Sequence, residues 1–267
     1  TGLHMGHTPV RTNPGGVPLL PEEVTMAEVL KDAGYRTGMF GKWGLGDIGT
    51  TGVPWKQGFD RFFGYLHQVH AHYYYPESLY ENEKEYPLPG NRNKQRGQYS
   101  HDVIAEKSLD FIRDSAGKEP FFCYVPFTIP HLELLVPEDS MAEYRGTVQE
   151  RPYVDRRQHY ADQPEARAAL AGMITRMDRD VGRIMAVLKE LNQDRNTIVF
   201  FTSDNGAATP LWKDDYFNST TGLRGHKQNF YEGGIRVPMI ARWPERIEAG
   251  AVSNLPWAFW DVLPTAA

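Results

Sequence analysis

Apolar positions fall into short strand-like runs and longer runs of helical period, alternating from one end of the chain to the other. Thr25 stands ahead of Met26, Val29 and Leu30, and Gly34 follows them, which predicts a capped helix over 26–33. A run of β-formers over 35–40 predicts the next strand. Ser100 is placed to cap a helix from His101 to Asp114, with Val103, Ile104, Leu109, Phe111 and Ile112 on its apolar side, and a strand over 120–127 follows. The strongest helical period is Leu170, Met173, Ile174, Met177, Val181, Ile184, Leu188 and Leu191, with Arg176, Arg179, Arg183 and Lys189 falling between them. It leads into Thr197-Ile198-Val199-Phe200-Phe201, whose β-branched and aromatic residues suit a strand covered on both faces. Gly233 to Ala241 leads to one more strand, and an apolar segment runs over 256–267. The alternation predicts an α/β class with parallel strands.

Three stretches break the alternation. Thr1 to Glu23, rich in Gly, Pro, His and Thr, reads as irregular. Trp55 to Tyr86 carries Phe59, Phe62, Phe63, Tyr65, Tyr73, Tyr74, Tyr75 and Tyr80 among His67, His70 and His72. A proline-punctuated stretch over 132–165 reads as a lid or substrate loop.

Composition narrows the classes. The chain has 267 residues, 40% of them hydrophobic and 24% charged, enough to bury a core and too apolar for disorder. No linker of the usual composition divides it, so residues 1–267 read as one catalytic α/β domain. The net charge of −5 comes from intermixed acids and bases, with no basic stripe for nucleic acid. No apolar run reaches transmembrane length. The one cysteine, Cys123, excludes an internal disulfide and reads as a buried, inert thiol. The opening on Thr1 without Met and the stop inside an apolar run read as an excised piece of something longer.

Candidate chemistry collects where strands end. Lys42 leaves the strand over 35–40 within Gly41-Lys42-Trp43-Gly44-Leu45-Gly46; it reads either as a solvated lysine or as a cation fixed between glycines. His131 follows the strand over 120–127, either packed or functional. Asp204-Asn205-Gly206 ends the later strand and reads either as turn chemistry or as two hard oxygen ligands for Ca²⁺ or Mg²⁺. Parallel strands would bring all three to one edge, where metal, lysine and histidine suit an anionic tetrahedral substrate and phosphoryl or sulfuryl transfer. His70 and His72 are spaced to share one face of a strand, so a metal pair competes with core and wall roles; Tyr, His and Gln68 also suit a sugar or aryl substrate. Arg224, His226 and Lys227 lie beside Gly222 and Gly225 in a polar stretch. No nucleophile is visible, and two oxygen ligands are too few for Ca²⁺, so part of the site lies outside these residues.

In its motifs the chain resembles the type I sulfatases of the alkaline phosphatase superfamily. Thr1-Gly2 is similar to the close of that family's Cys-x-Pro-Ser-Arg-x-x-x-x-Thr-Gly signature. Gly41 to Gly46 is similar to its Gly-Lys-Trp-His-Leu-Gly. Gly58-Phe59-Asp60, Phe63-Gly64, Pro130-His131 and Ser203-Asp204-Asn205-Gly206 follow in family order. Gly225-His226-Lys227 with Tyr231-Glu232-Gly233-Gly234-Ile235-Arg236 then matches Gly-x-Lys with Tyr-Glu-Gly-Gly-x-Arg. The resemblance implies a three-layer sandwich with a mainly parallel sheet flanked by helices, and cleavage of a sulfate ester on a glycan or aryl substrate. It implies an extracytoplasmic protein, with Asp204 and Asn205 as Ca²⁺ ligands, Lys42 and Lys227 on the sulfate oxygens, and His131 at the leaving group. The nucleophile would be a formylglycine made from a cysteine upstream of Thr1, and the other metal ligands an aspartate pair near it. The smaller carboxyl-terminal subdomain would also be absent. Gln68, His70, His72 and His226 would face the substrate. One departure stands out: Gly44 replaces a histidine that orients the nucleophile, and His67 or His226 would be its substitutes. A phosphodiesterase or phosphotransferase of the same superfamily, or a glycan-binding paralogue, remain the alternatives.

Overall fold

The structure, a computed structural model, describes residues 18–208 and 215–266; the Thr1-Gly2 motif and most of the irregular opening lie outside the described residues. The chain divides into two compact units, one of residues 18–129, 177–187 and 253–266, the other of 130–176, 188–208 and 215–252.

The first unit begins with α1 (Met26–Asp32), which forms as its sequence predicts. Thr25 Oγ1 accepts from the Glu28 N–H at 3.2 Å while Thr25 N–H donates to Glu28 Oε2 at 2.8 Å, a reciprocal cap. Gly34 takes a left-handed φ of +88° and turns the chain into β1 (Arg36–Lys42). The strands β2 (Arg61–Tyr65), β3 (Ser78–Glu81) and β4 (Lys84–Pro87) follow. Next come α2 (Ser100–Ser115) and β5 (Phe121–Tyr124). Ser100 is the first residue of α2 rather than its cap: the N-cap is Tyr99, and Ser100 Oγ is buried without a hydrogen bond. The five strands form one sheet in the order β4-β3-β2-β1-β5. β1 is parallel to both β2 and β5, whereas β3 and β4 add an antiparallel hairpin at the edge. The sheet is therefore mixed, with its parallel part at β2-β1-β5.

Period-2 alternation sorts the core into two layers. Phe40, Phe63 and Tyr65 pack in one cluster with Ile104 and Phe111 of α2, while Met39 and Phe62 pack in another with Ala27 of α1. Adjacent strand residues thus belong to different helices' clusters, which is how a sheet covered on both faces is written into sequence. Most of the expected aromatic wall is core: Phe62, Phe63, Tyr65 and Tyr74 are fully buried. His70–His72 forms a 3-10 turn, not a strand, so residues two apart do not share a face and the paired-metal expectation fails.

The second unit holds α3 (Glu138–Ala142), both ends of α4 (Ala166–Glu190), β6 (Val199–Thr202), α5 (Glu232–Ile235) and β7 (Met239–Arg242). The 177–187 stretch of α4 belongs to the first unit, which α6 (Val262–Ala266) closes. Within the expected loop over 132–165, Arg145 joins Glu138 and Glu165, Tyr153 pairs with Gln163, and the Asp155 carboxylate takes the N–H groups of Arg157, His159 and Tyr160. Arg176, expected outside the apolar stripe of α4, is buried and donates to Asp139 Oδ1 at 2.8 Å.

The strand over Thr197–Phe201 departs most from expectation. β6 pairs antiparallel with β7 in a two-stranded sheet, and Ile198 and Phe200 remain 39% and 38% exposed. Its apolar composition fits a strand covered on both faces, but among the described residues β7 is its one strand partner.

Candidate active site

β1 sits between two parallel neighbours, so its exit is flanked by theirs. Lys42 pairs in register with Tyr65, and its N–H donates to Pro126 O at 2.9 Å. The N–H groups of Trp43 and Gly44 then donate to Tyr65 O and Leu66 O, each at 2.9 Å, so the ladder runs past the strand and draws Lys42-Trp43-Gly44 against Leu66-His67-Gln68. Two glycines make this approach possible. Gly41 holds φ +142°, and a Cβ there would lie 2.1 Å from Pro126 O; Gly64 holds φ +148°, with Gly41 O at 1.9 Å from its Cβ position.

Beyond the exit, His67 Nδ1 accepts the Val69 N–H at 3.1 Å, and the His70 ring meets Tyr65 edge-on at 4.9 Å. Burial, then the neighbouring His67 charge, pulls His70 below the ordinary imidazole range, against weaker opposing pulls from Glu85 and Asp47. Its neutral form is thereby favoured. The Cys123 thiol, pushed up to about 12 by desolvation, is inert, as its sequence context predicts.

In the second unit the turn after β6 is knitted to the segment carrying Lys227. Gly206 N–H donates to Gly234 O at 2.9 Å, and Lys227 N–H donates to Ala207 O at 3.0 Å. Gly206 is required by close approach rather than by a left-handed turn, since a Cβ would stand 1.9 Å from Gly233 O. Asn205 Nδ2 donates to Gly206 O at 3.2 Å, leaving its Oδ1 as the donor oxygen, and the Asp204 side chain is exposed. His226 Nδ1 lies 2.8 Å from Lys227 O, and its N–H donates to Asn229 Oδ1 at 3.2 Å. Arg224, a residue without an assigned role in the motifs, lies over the Tyr231 ring at 3.8 Å and donates to its hydroxyl at 2.8 Å, clamping the Gly225–Tyr231 loop. His131, with its ring 5.9 Å from that of Tyr160, belongs to this unit too.

The structure thus sets Lys42 beside Tyr65 and Pro126, Gly44 beside Gln68, and the turn that follows Asp204 and Asn205 beside the segment of Lys227. The convergence expected from three parallel strands divides between the units, with Lys42, Gln68, His70 and His72 in the first and His131, Asp204, Asn205, His226 and Lys227 in the second. Hard oxygen donors on the 204–205 turn fit part of a Ca²⁺ shell, which takes about six to eight oxygens. Among the described residues no group of three or more His, Cys, Asp or Glu side chains is placed to complete one.

These features define an α/β protein whose polar groups gather beyond the carboxyl ends of its strands. A family model described as Sulfatase matches residues 1–267, and the chain belongs to that family. It is 32% identical to the N-acetylgalactosamine-6-sulfatase of Canis lupus familiaris, over 94% of this chain and 45% of the relative. It is 31% identical to the arylsulfatase A of Homo sapiens, over 99% and 51%. Among solved structures, Ps i-CgsB in complex with k-i-k-neocarrahexaose matches with a TM-score of 0.75 at 28% identity, covering 97% of this chain and 55% of that one. The fold is alkaline-phosphatase-like, as the motifs imply. The chain spans about half the length of the curated relatives it matches. No helix among the described residues is long and apolar enough to cross a membrane.

Proposed function

We propose that the protein to which this chain belongs hydrolyses a sulfate ester, on a glycan or an aryl alcohol, outside the cytoplasm. The observation that carries this is the knitting of the Ser203–Gly206 turn to the Lys227 loop through the Gly206–Gly234 and Lys227–Ala207 hydrogen bonds, in a chain of the sulfatase family. An acid, an amide oxygen and a lysine on one backbone framework suit a divalent cation beside an anionic group.

In this reading Asp204 and Asn205 would hold Ca²⁺, which would supply positive charge beside the sulfate. Lys42 and Lys227 take sulfate oxygens, Lys227 close to the oxygen of the departing alcohol, and His131 gives that oxygen its proton. Gln68, His70, His72 and His226 face the substrate; the depressed basicity of His70 makes it a neutral wall rather than a second cation. A formylglycine, as the family resemblance implies, would supply the nucleophile. A glycan substrate is favoured by the relatives, one named for N-acetylgalactosamine 6-sulfate and one solved with a carrahexaose.

The test is to produce the full gene product in a host that makes formylglycine and to assay chromogenic aryl sulfates and sulfated oligosaccharides with Ca²⁺. Release of sulfate is expected. No turnover of any sulfate ester, with formylglycine verified by mass spectrometry, overturns the reading.

A further inference from the structure

The stretch that follows His131 folds back on it. Tyr153 and Gln163 exchange both backbone hydrogen bonds, at 2.8 and 2.9 Å, and the Asp155 N–H donates to Asp162 Oδ1 at 2.9 Å, so residues 153–163 close into a hairpin. Its returning arm is sewn to the residues just past the histidine. The Ala161 N–H donates to Glu133 Oε2 at 3.1 Å, and Gln163 Nε2 donates to Leu134 O at 2.8 Å, with Glu133 and Leu134 both buried. A lid moving as one body would have to break these bonds in each cycle, whereas a fixed support keeps them.

One side chain shapes the far end of the hairpin. Asp155 Oδ2 accepts the N–H groups of His159 and Tyr160, each at 2.8 Å, and Oδ1 accepts that of Arg157 at 3.1 Å. The Gln158 N–H donates to Asp155 O at 2.9 Å, with Gln158 turned into the left-handed region at φ +53°. The bond from the Tyr160 N–H, the largest of the influences on it, holds the Asp155 carboxyl below the ordinary carboxylate range, so the turn keeps its anion. Arg156, Arg157 and Gln158 are left exposed at the tip, and Tyr160 is half-buried. The Tyr160 ring lies 5.9 Å from that of His131 at 58°, and the His159 ring meets it edge-on at 4.5 Å.

We propose that Tyr160 is a positioning residue for His131, and that Asp155 sets Tyr160 in place by holding the turn that carries it. The proposal rests on the sulfate-ester reading, in which His131 gives a proton to the departing alcohol. A general acid has to meet one oxygen within hydrogen-bond reach, and a misplacement of about 1 Å can cost about 100-fold in rate. His131 lies outside every helix and strand, so the backbone alone does not fix its ring. The hairpin supplies a second surface, anchored at its returning arm by Glu133 and Leu134 and at its turn by Asp155. The contact is between rings, so phenylalanine serves at residue 160 as well as tyrosine.

The experiment uses the full gene product with Ca²⁺ and phenyl sulfate, whose phenol departs poorly without a proton, beside NMR of the same protein labelled with ¹³C in its histidine rings. His131→Ala sets the scale, a loss of about 100-fold in kcat. Tyr160→Ala is expected to lower kcat about 10-fold with KM within about 2-fold of the parent, and Asp155→Ala to do the same, whereas Tyr160→Phe keeps the parent's kcat. In the His131→Ala background, Tyr160→Ala is expected to lower kcat no further, which a general loss of structure would not show. The His131 ring resonance, identified by its loss in His131→Ala, is expected to move in Asp155→Ala, although that substitution leaves the Tyr160 ring present. A resonance unmoved by Asp155→Ala, or a loss from Tyr160→Ala as large without His131 as with it, overturns the proposal. A parent that cleaves no sulfate ester while its His131 resonance still follows Asp155→Ala overturns the sulfate-ester reading instead, with Tyr160 still shown to set His131.

Discussion

At the residue scale the most consequential pair outside the site is His101 with Asp180. Both side chains are 1% exposed, with Nε2 and Oδ2 3.0 Å apart, and His101 Nδ1 is buried without a hydrogen bond. Burial alone raises the Asp180 carboxyl, but the hydrogen bonds of His101 and Arg183 and the charges of His101 and Arg179 outweigh it and hold the group at about 2, down from 3.8. A carboxyl whose folded value is depressed stabilises the fold fully above its unfolded value. That stability is lost as pH falls through the folded one. Asp180 should therefore contribute about 2 kcal/mol above pH 4 that disappears toward pH 2. Urea unfolding of Asp180→Asn is expected to give a stability about 3 kcal/mol lower at neutral pH and a shallower acid limb; an acid limb as steep as the parent's would refute the assignment. Lys227 makes the complementary case inside the site. Its backbone is already anchored to Ala207, so Lys227→Ala should leave the turn intact and lower kcat/KM by about 10²-fold or more. A melting temperature that drops with the activity would point to structure instead.

At the element scale the parallel exits depend on backbones that approach too closely for side chains. Gly41→Ala forces a Cβ to 2.1 Å from Pro126 O at φ +142°, and backbone atoms have nowhere to yield, whereas Gly117→Ala at φ +74° meets nothing within 4 Å. Chemical denaturation should separate them: about 3 kcal/mol or failure to fold for Gly41→Ala, against about 1 kcal/mol for Gly117→Ala. Equal losses would mean that φ strain, not close approach, fixes Gly41. The contrast also marks what was legible in the chain. Helix α1 could be read because Thr25 and Gly34 are local signals, and α4 because its stripe repeats over many turns. The two sides of the sheet were written in alternation at Met39 and Phe40. The antiparallel pairing of β6 with β7 was not legible, because a Val-Phe-Phe run has the same composition whatever neighbour it finds. Burial of Arg176 depends on Asp139, 37 positions away, and no local spacing encodes it. Among the candidate groups, Lys42 and Asp204-Asn205 were visible as strand ends, whereas the approach of Gln68 to Gly44 exists only once two strands lie side by side.

At the scale of the whole molecule the metal decides the matter. Asp204 and Asn205 offer two oxygens from adjacent residues, whereas Ca²⁺ takes six to eight, and this chain spans 45% and 51% of two sulfatase relatives. Residues 1–267 expressed alone should then bind Ca²⁺ no tighter than about 1 mM and release no sulfate, the weak end of natural oxygen-ligand sites. In the full gene product the proposed site would make the same two residues part of a complete shell. There, Ca²⁺ at about 100 times its Kd should stabilise the fold by about 2.7 kcal/mol, a rise in melting temperature of about 5 °C. Chelation should abolish turnover and that rise together, and Asp204→Ala should remove both without changing the melting temperature of the chelated protein. Tight Ca²⁺ binding by residues 1–267 would place a full ligand set within them. Turnover that survives both chelation and Asp204→Ala would take the metal out of the mechanism and leave Lys42 and Lys227 to hold the sulfate by themselves.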